Sequence, residues 1–486
     1  MTYRKILLFC ILVGSLNADY GQTGTSGLYS YQDLSHLYYQ KQKDSLKKAW
    51  VCPATFKDKD GQKKYREIYD NRTEFLLAAI SHDDYVHDHE VYPYIAGIVR
   101  QIAGANRDLI PVDPLLLLDR NPSVNAYALG DNVLAVNLGL ITFSGSREEL
   151  ALAIAHEMSH NILHHPENAM RERAAWLSSD EYKQSLNAVL NSRYERLTRL
   201  QKILEGFTFS RSRHQRFHES EADSLAIILL KKCNIPFNAE FFLHLDSADD
   251  EYHEHLRQPL RSYFTAYQLP FEDGWSTRRS HGLSTRNYNF SDTTILEDSL
   301  KTHPDCPERF ARTKDRSAAH PRLTPIPENI RDATNKMLLW NLYTSGTLTP
   351  CLYRIFLEKD KGDKDPWYDF MVSNIFYGLY FADRNLNRFN AIGIVPKEYI
   401  SRDYYSLQTV FEQMPRDILK QYCESFGNGP FWKSLAAPER GLKTFLYTLA
   451  LDPDDSERNR SKAAHTFAAD NAGSMYCEFS DNFEKK

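Results

Sequence analysis

The stretch Ser146-Arg-Glu-Glu-Leu-Ala-Leu-Ala-Ile-Ala-His156-Glu157-Met-Ser-His160 decides how this chain reads. It opens on Ser-x-x-Glu, a capping box that satisfies the first free backbone N–H groups of a helix. Neither Pro nor Gly follows until Pro166, so one helix is expected from Ser146 to His165. His156 and His160 then lie a turn apart, about 40° around the axis, and both imidazoles can reach one metal ion. Glu157 sits beside the first of them, placed to take a proton from a metal-bound water. Imidazole and carboxylate donors at a three-ligand site suit Zn²⁺ and leave a fourth position open. The ion lowers the water's pKa toward ~7, so hydroxide is available to attack an amide carbonyl.

A third ligand is expected from His218-Glu219-Ser-Glu221-Ala-Asp223. Glu219 and Asp223 are a turn apart on a helix running from about Phe217 to Cys233. One can therefore bind the metal while the other accepts the free ring N–H of a ligand histidine. His164 and His165, beyond the first motif, read as surface residues of the helix end.

Around these motifs the pattern alternates helix and strand. A turn is expected at Asp60-Gly61, then a helix from about Lys64 to Ile80 and an amphipathic one over Glu90 to Ala103. The runs Val112 to Asp119 and Asn132 to Asn137 read as strands, and the pattern leaves open whether the second lies in the core or at an edge. Asp180 to Glu205 reads as a charged helix, and Asp246 to Leu300 as a polar, loop-like insertion. Pro321, Pro325 and Pro327 mark a boundary before a helical, aromatic-rich region.

The chain has 486 residues and a formal charge of −5, which predicts several compact units and no nucleic-acid partner. Ile6 to Leu16 after Arg4 and Lys5 is too short an apolar run to span a bilayer. It reads as a secretory signal peptide cut between Ala18 and Gln22. That places the mature chain in the periplasm or outside the cell, with no transmembrane segment. There Cys52, Cys233, Cys306, Cys351, Cys423 and Cys477 could form up to three disulfides in pairings the sequence leaves open.

These motifs resemble those of the M48 family of zinc metallopeptidases. Asn125-Ala-Tyr127-Ala-Leu-Gly130 resembles the family's Asn-Ala-Phe-Ala segment. Gly139-Leu-Ile141, leading to Glu149-Leu-Ala151, resembles its approach to the metal helix, and Thr302-His303-Pro304 with Arg309 resembles a Thr-His-Pro-x-x-x-x-Arg motif. The longer metzincin pattern needs Gly and His where Leu163 and Pro166 stand. The resemblance covers roughly residues 85–315. It implies His156, His160 and Glu219 as zinc ligands, Glu157 as catalytic base and Asp223 as the group orienting a ligand. It further implies catalytic roles for His303 and Arg309, with His303 near the zinc as transition-state stabiliser or as a fourth ligand holding the enzyme off.

The expected fold is α+β and mostly α: a zincin-type (gluzincin) domain with a small sheet, followed by a helical domain. In outline this is a signal peptide over 1–22, a helical extension over 23–84, the peptidase over 85–325 and a helical domain over 326–486. The last resembles a degenerate tetratricopeptide array, although no regular repeat is visible. The resemblance points to the periplasmic branch that includes a protease-chaperone for outer-membrane β-barrel assembly. One Zn²⁺ per chain, a polypeptide substrate, and envelope-protein partners at the C-terminal helices are what it implies. The rival is a periplasmic chaperone or assembly factor whose zinc protease site is latent.

Overall fold

The computed structural model describes residues 37–81, 84–192, 217–276, 306–319, 321–429, 435–453 and 456–471. The expected signal peptide, His303 and Cys477 lie outside them. The chain packs as two compact units. Among the described residues, none of the helices is long and apolar enough to cross a membrane.

The first unit is drawn from Gln32–Asp246 and Thr294–Asn335. Its sheet has four strands in the order β1-β2-β4-β3: β1 Tyr85–Val86, β2 Leu115–Asp119, β3 Ala126–Gly130 and β4 Val133–Asn137. β2 and β4 are parallel, and β3 is antiparallel to β4. Every residue of β4 is buried, as its uninterrupted Val-Leu-Ala-Val run suits a strand covered on both faces. The run over 132–137 is therefore the core strand, and β3, carrying the Asn-Ala-Tyr-Ala segment, is the edge. β3 turns into β4 through Asp131 and Asn132, both at positive φ (49° and 58°), after Gly130 at 78°. Residues of this type accept that conformation in a tight hairpin.

The N-terminal helices clamp this hairpin. Helix α1 spans Leu37–Ala49 and α2 Lys59–Ser81. The Asp60-Gly61 pair is the first turn of α2 rather than a separate turn, because the Asp58 carboxylate caps it by accepting from the Gly61 N–H at 2.5 Å. From α2, Arg72 donates to Leu129 O at 2.6 and 3.0 Å, to Gly130 O at 2.9 Å and to Asp131 at 2.9 Å. Its guanidinium also lies 4.9 Å from the Trp50 ring centre. Tyr65, Ile68, Tyr69 and Leu76 of α2 share a core with Leu117, Val133, Ala135 and Met170.

Helix α3, Val91–Ala105, buries its apolar stripe, and α4, Leu138–Phe143, follows directly on β4. At the start of α4, Gly139 approaches the 121–123 loop so closely that an added Cβ would sit on the carbonyl oxygens of Pro122 and Ser123. The Gly-Leu motif is thus a packing requirement. Helix α5 is Arg147–Ile162, capped by Ser146, whose hydroxyl accepts from the Glu149 N–H at 3.2 Å. It stops short of His165: His164 turns left-handed at φ 57°, and a new helix, α6 His165–Ser178, begins with Pro166 in its first turn. Proline has no N–H to continue the ladder and fits a first turn. Three further helices of the unit bear on the site: α7 over 217–232, α8 Glu240–Asp246 and α9 Cys306–Thr313. Asp180–Leu190 is helical, as its charged pattern predicts.

The second unit is drawn from Ser247–Thr293 and Lys336–Lys486. The described part of the polar stretch after Asp246 folds as short helical turns, including Leu260–Thr265, and packs with the C-terminal helices. Tyr263, for instance, stacks on Phe356 with centroids 4.5 Å apart. Helix α10 is Leu348–Lys361, α11 Pro366–Arg384, α12 Arg416–Asn428 and α13 Ala437–Leu451; α11 packs against the other three. Its Trp367, Tyr368, Phe370, Phe376 and Tyr377 are buried, so the aromatic excess here fills a core.

None of Cys52, Cys233, Cys306, Cys351 and Cys423 is in a disulfide, so the bridges that the cysteine count allowed are not formed among them. Four of them are buried, where Cys351 and Cys423 pack as small apolar groups whose thiols burial holds in the protonated form.

Gly139→Ala should cost about 1–3 kcal/mol, because backbone carbonyls rather than a flexible side chain must move. Denaturant unfolding measures it, and an unchanged midpoint would refute the packing role.

Candidate metal centre

Three donor atoms converge between α5 and α7. His156 Nε2 lies 3.1 Å from Glu219 Oε2 and 3.1 Å from His160 Nε2, and His160 Nε2 lies 3.4 Å from Glu219 Oε1. Ligands ~2.0–2.1 Å from a tetrahedral Zn²⁺ stand about 3.3–3.4 Å from one another. The donor spacing and the donor chemistry both fit that ion, and these residues form a group able to hold a metal.

Each ligand ring is gripped from behind. His156 Nδ1 is 3.0 Å from Asp223 Oδ1. Asp223 is in turn held by Arg309, Nε to Oδ2 at 3.0 Å and Nη2 to Oδ1 at 2.6 Å. Both side chains of that ion pair are 3% exposed, so each neutralises a charge that could not stand alone there. Arg309 also lies over the Phe242 ring at 4.3 Å, and its Nη1 finds no partner among the described residues.

His160 is held differently. Its Nδ1 faces His165 Nδ1 at 2.9 Å, and His165 Nε2 faces Glu221 Oε2 at 3.6 Å. His165 is 7% exposed, not the surface residue its position after the motif suggests. The cause is the helix break at Leu163 and His164, which turns His165 back toward the metal helix. The His165-Pro166 pair was the only sequence signal for that turn.

Protons follow from this geometry. Burial works against charge on His156, but the hydrogen bonds its ring donates to the Asp223 and Glu219 carboxylates outweigh it and raise its pKa to about 10. Without metal, both its ring nitrogens carry protons. Burial and the charged His156 push His160 down to about 3. Neutral His160 thus accepts at Nε2 and donates from Nδ1 to His165. Glu219 sits near about 2: its burial is outweighed by its bond to His156. Asp223 is likewise held well below the carboxylate range by Arg309 and His156 in spite of burial.

Glu157 is buried, and burial is the main reason its pKa rises to about 7. One oxygen is 4.0 Å from His156 Nε2, while the other accepts from the Ala128 N–H of edge strand β3 at 2.9 Å. Asn161 ties the metal helix to the same hairpin, donating to Val133 O at 2.9 Å and accepting from Gly130 N–H at 3.2 Å. A recess opens beside Glu157, lined by Ala126, Leu140, Phe143, Leu152, Ala153 and Phe242 among others.

Of the residues expected at the site, the structure brings together His156, Glu157, His160, Glu219, Asp223 and Arg309; His303 lies outside the described residues. Residues 93–317 match the model for peptidase family M48. Over 164 residues the chain is 28% identical to a Vibrio cholerae protein named "Putative beta-barrel assembly-enhancing protease". That alignment spans 33% of this chain and 33% of the relative.

Two outcomes test the geometry. At pH 8, above the Glu157 value of about 7 and below the His156 value of about 10, Zn²⁺ binding should release about one proton, from His156. Calorimetry in buffers of different ionisation enthalpy reads this, and zero release would show His156 neutral. Asp223→Ala should weaken zinc about 10–100-fold in a chelator competition, since His156 loses its orienting partner.

Proposed function

Residues 93–317 make this chain an M48-family metallopeptidase, and from that premise we propose that it is a zinc endopeptidase of the cell envelope cleaving unfolded or misassembled proteins. The observation that carries the reading is the triangle of His156, His160 and Glu219 donors with Glu157 beside it. When bound there, zinc supplies Lewis acidity, polarising the scissile carbonyl and acidifying a water.

The chain's own groups do the rest. Glu157, near pKa 7 by burial, is suited to take a proton at neutral pH and return it to the leaving amine. The Ala128 N–H orients one of its oxygens, which leaves the other for the proton. As the edge of the sheet, β3 has backbone groups to pair with an extended polypeptide. An apolar substrate side chain then has the recess between Leu152 and Phe242 to enter. Arg309 acts through Asp223, keeping His156 in place.

The envelope assignment draws on the apolar N-terminal run and on the name of the Vibrio cholerae relative, a third of whose length the chain matches. The alternative, a chaperone or assembly factor with a latent protease site, is favoured by one feature. Leu386 and Phe389, in the C-terminal unit, are 89% and 72% exposed.

Glu157→Gln should keep zinc yet lose about 10²–10⁴-fold in casein hydrolysis; wild-type turnover would sink the assignment of the base. Rescue of a deletion phenotype by the same variant would favour the chaperone reading. Ala153→Leu, which narrows the recess, should slow cleavage at large apolar residues about tenfold or more while sparing small ones. Peptide-library profiling reads that ratio.

A further inference from the structure

Helix α7 presents ligands on two sides. His218 and Glu221 are three residues apart and so lie about 60° apart around the axis, while Glu219 lies about 100° from His218. Glu219 serves the first centre. His218 and Glu221 instead meet His165: the His165 and His218 rings stack with centroids 4.2 Å apart at 17°, and Glu221 Oε2 is 3.6 Å from His165 Nε2. One donor atom from each of the three lies within 4.8 Å of the others. The Glu221 side chain is 41% exposed and the His165 side chain 8%, so the group is anchored on its inner side and open to water on its outer side.

We propose that His165, His218 and Glu221 form a second divalent-cation site. Two imidazoles and a carboxylate are the donor types of a zinc site, with water free to complete the shell from the exposed side. Glu221 Oε2 stands 3.6 Å from His165 Nε2, against the ~3.3 Å that a bound zinc requires. Glu221, the exposed member, therefore swings inward on binding, and the affinity is lower than at the first centre.

Equilibrium dialysis of the full chain against Zn²⁺, with bound metal counted by atomic absorption, tests the site. Wild type should take up two ions, the second more weakly, and His218→Gln only one. His156→Ala, which damages the first centre, should also bind one. One ion in wild type, or two in His218→Gln, overturns the second site. Loss of an ion in His218→Gln but none in His156→Ala means that the first-centre assignment is at fault instead.

Discussion

Asp223 is the constraint around which the metal centre is arranged. It sits with its partners in a nearly water-free interior, taking Arg309 on one side and His156 on the other. The cost of burying a carboxylate is several kcal/mol unless it is paired and fully hydrogen-bonded. That requirement joins three helices distant in sequence: α5 supplies the histidine, α7 the carboxylate and α9 the arginine. Once they are locked together, His156 can point only toward Glu219 and His160. Zinc-site geometry is in this sense a by-product of neutralising a buried charge.

The sheet adds direction to that centre. Arg72, reaching from α2, satisfies carbonyls of the β3 end of the hairpin that would otherwise be unpaired at an edge. Asn161, from the metal helix, holds both sides of the turn, donating to Val133 O of β4 and accepting from the Gly130 N–H of β3. β3 is thus held at a defined distance from Glu157, to which it donates the Ala128 N–H. The N-terminal helices, remote from any motif, are in this way part of what places the edge strand at the site.

Much of the centre was legible because its signals are local. The i, i+4 spacing of His156 and His160, the Ser146 cap and the turn between Glu219 and Asp223 depend only on helical periodicity, and each formed as that periodicity dictates. Features that depend on packing were less legible. The alternating and continuous apolar patterns of 126–130 and 132–137 do not state which strand lies outside; the parallel pairing of β2 with β4 does. The cysteine count allowed bridges, but the described cysteines are unbridged, four of them buried. The aromatic-rich sequence after residue 366 does not by itself state what it packs against; the burial of Trp367, Tyr368, Phe370, Phe376 and Tyr377 in α11 shows a core.

His165 makes the division plain. Sequence alone determined that two histidines a turn apart, with a glutamate between them, could hold a metal, because a helix repeats every ~3.6 residues whatever surrounds it. It also contained Pro166, which forbids the helix from continuing. Where the chain goes after such a break is set by what it can bury. Only the tertiary structure turned His165 inward onto His160 and brought His218 and Glu221 against it, because long-range packing, not local periodicity, chooses among the directions a broken helix can take.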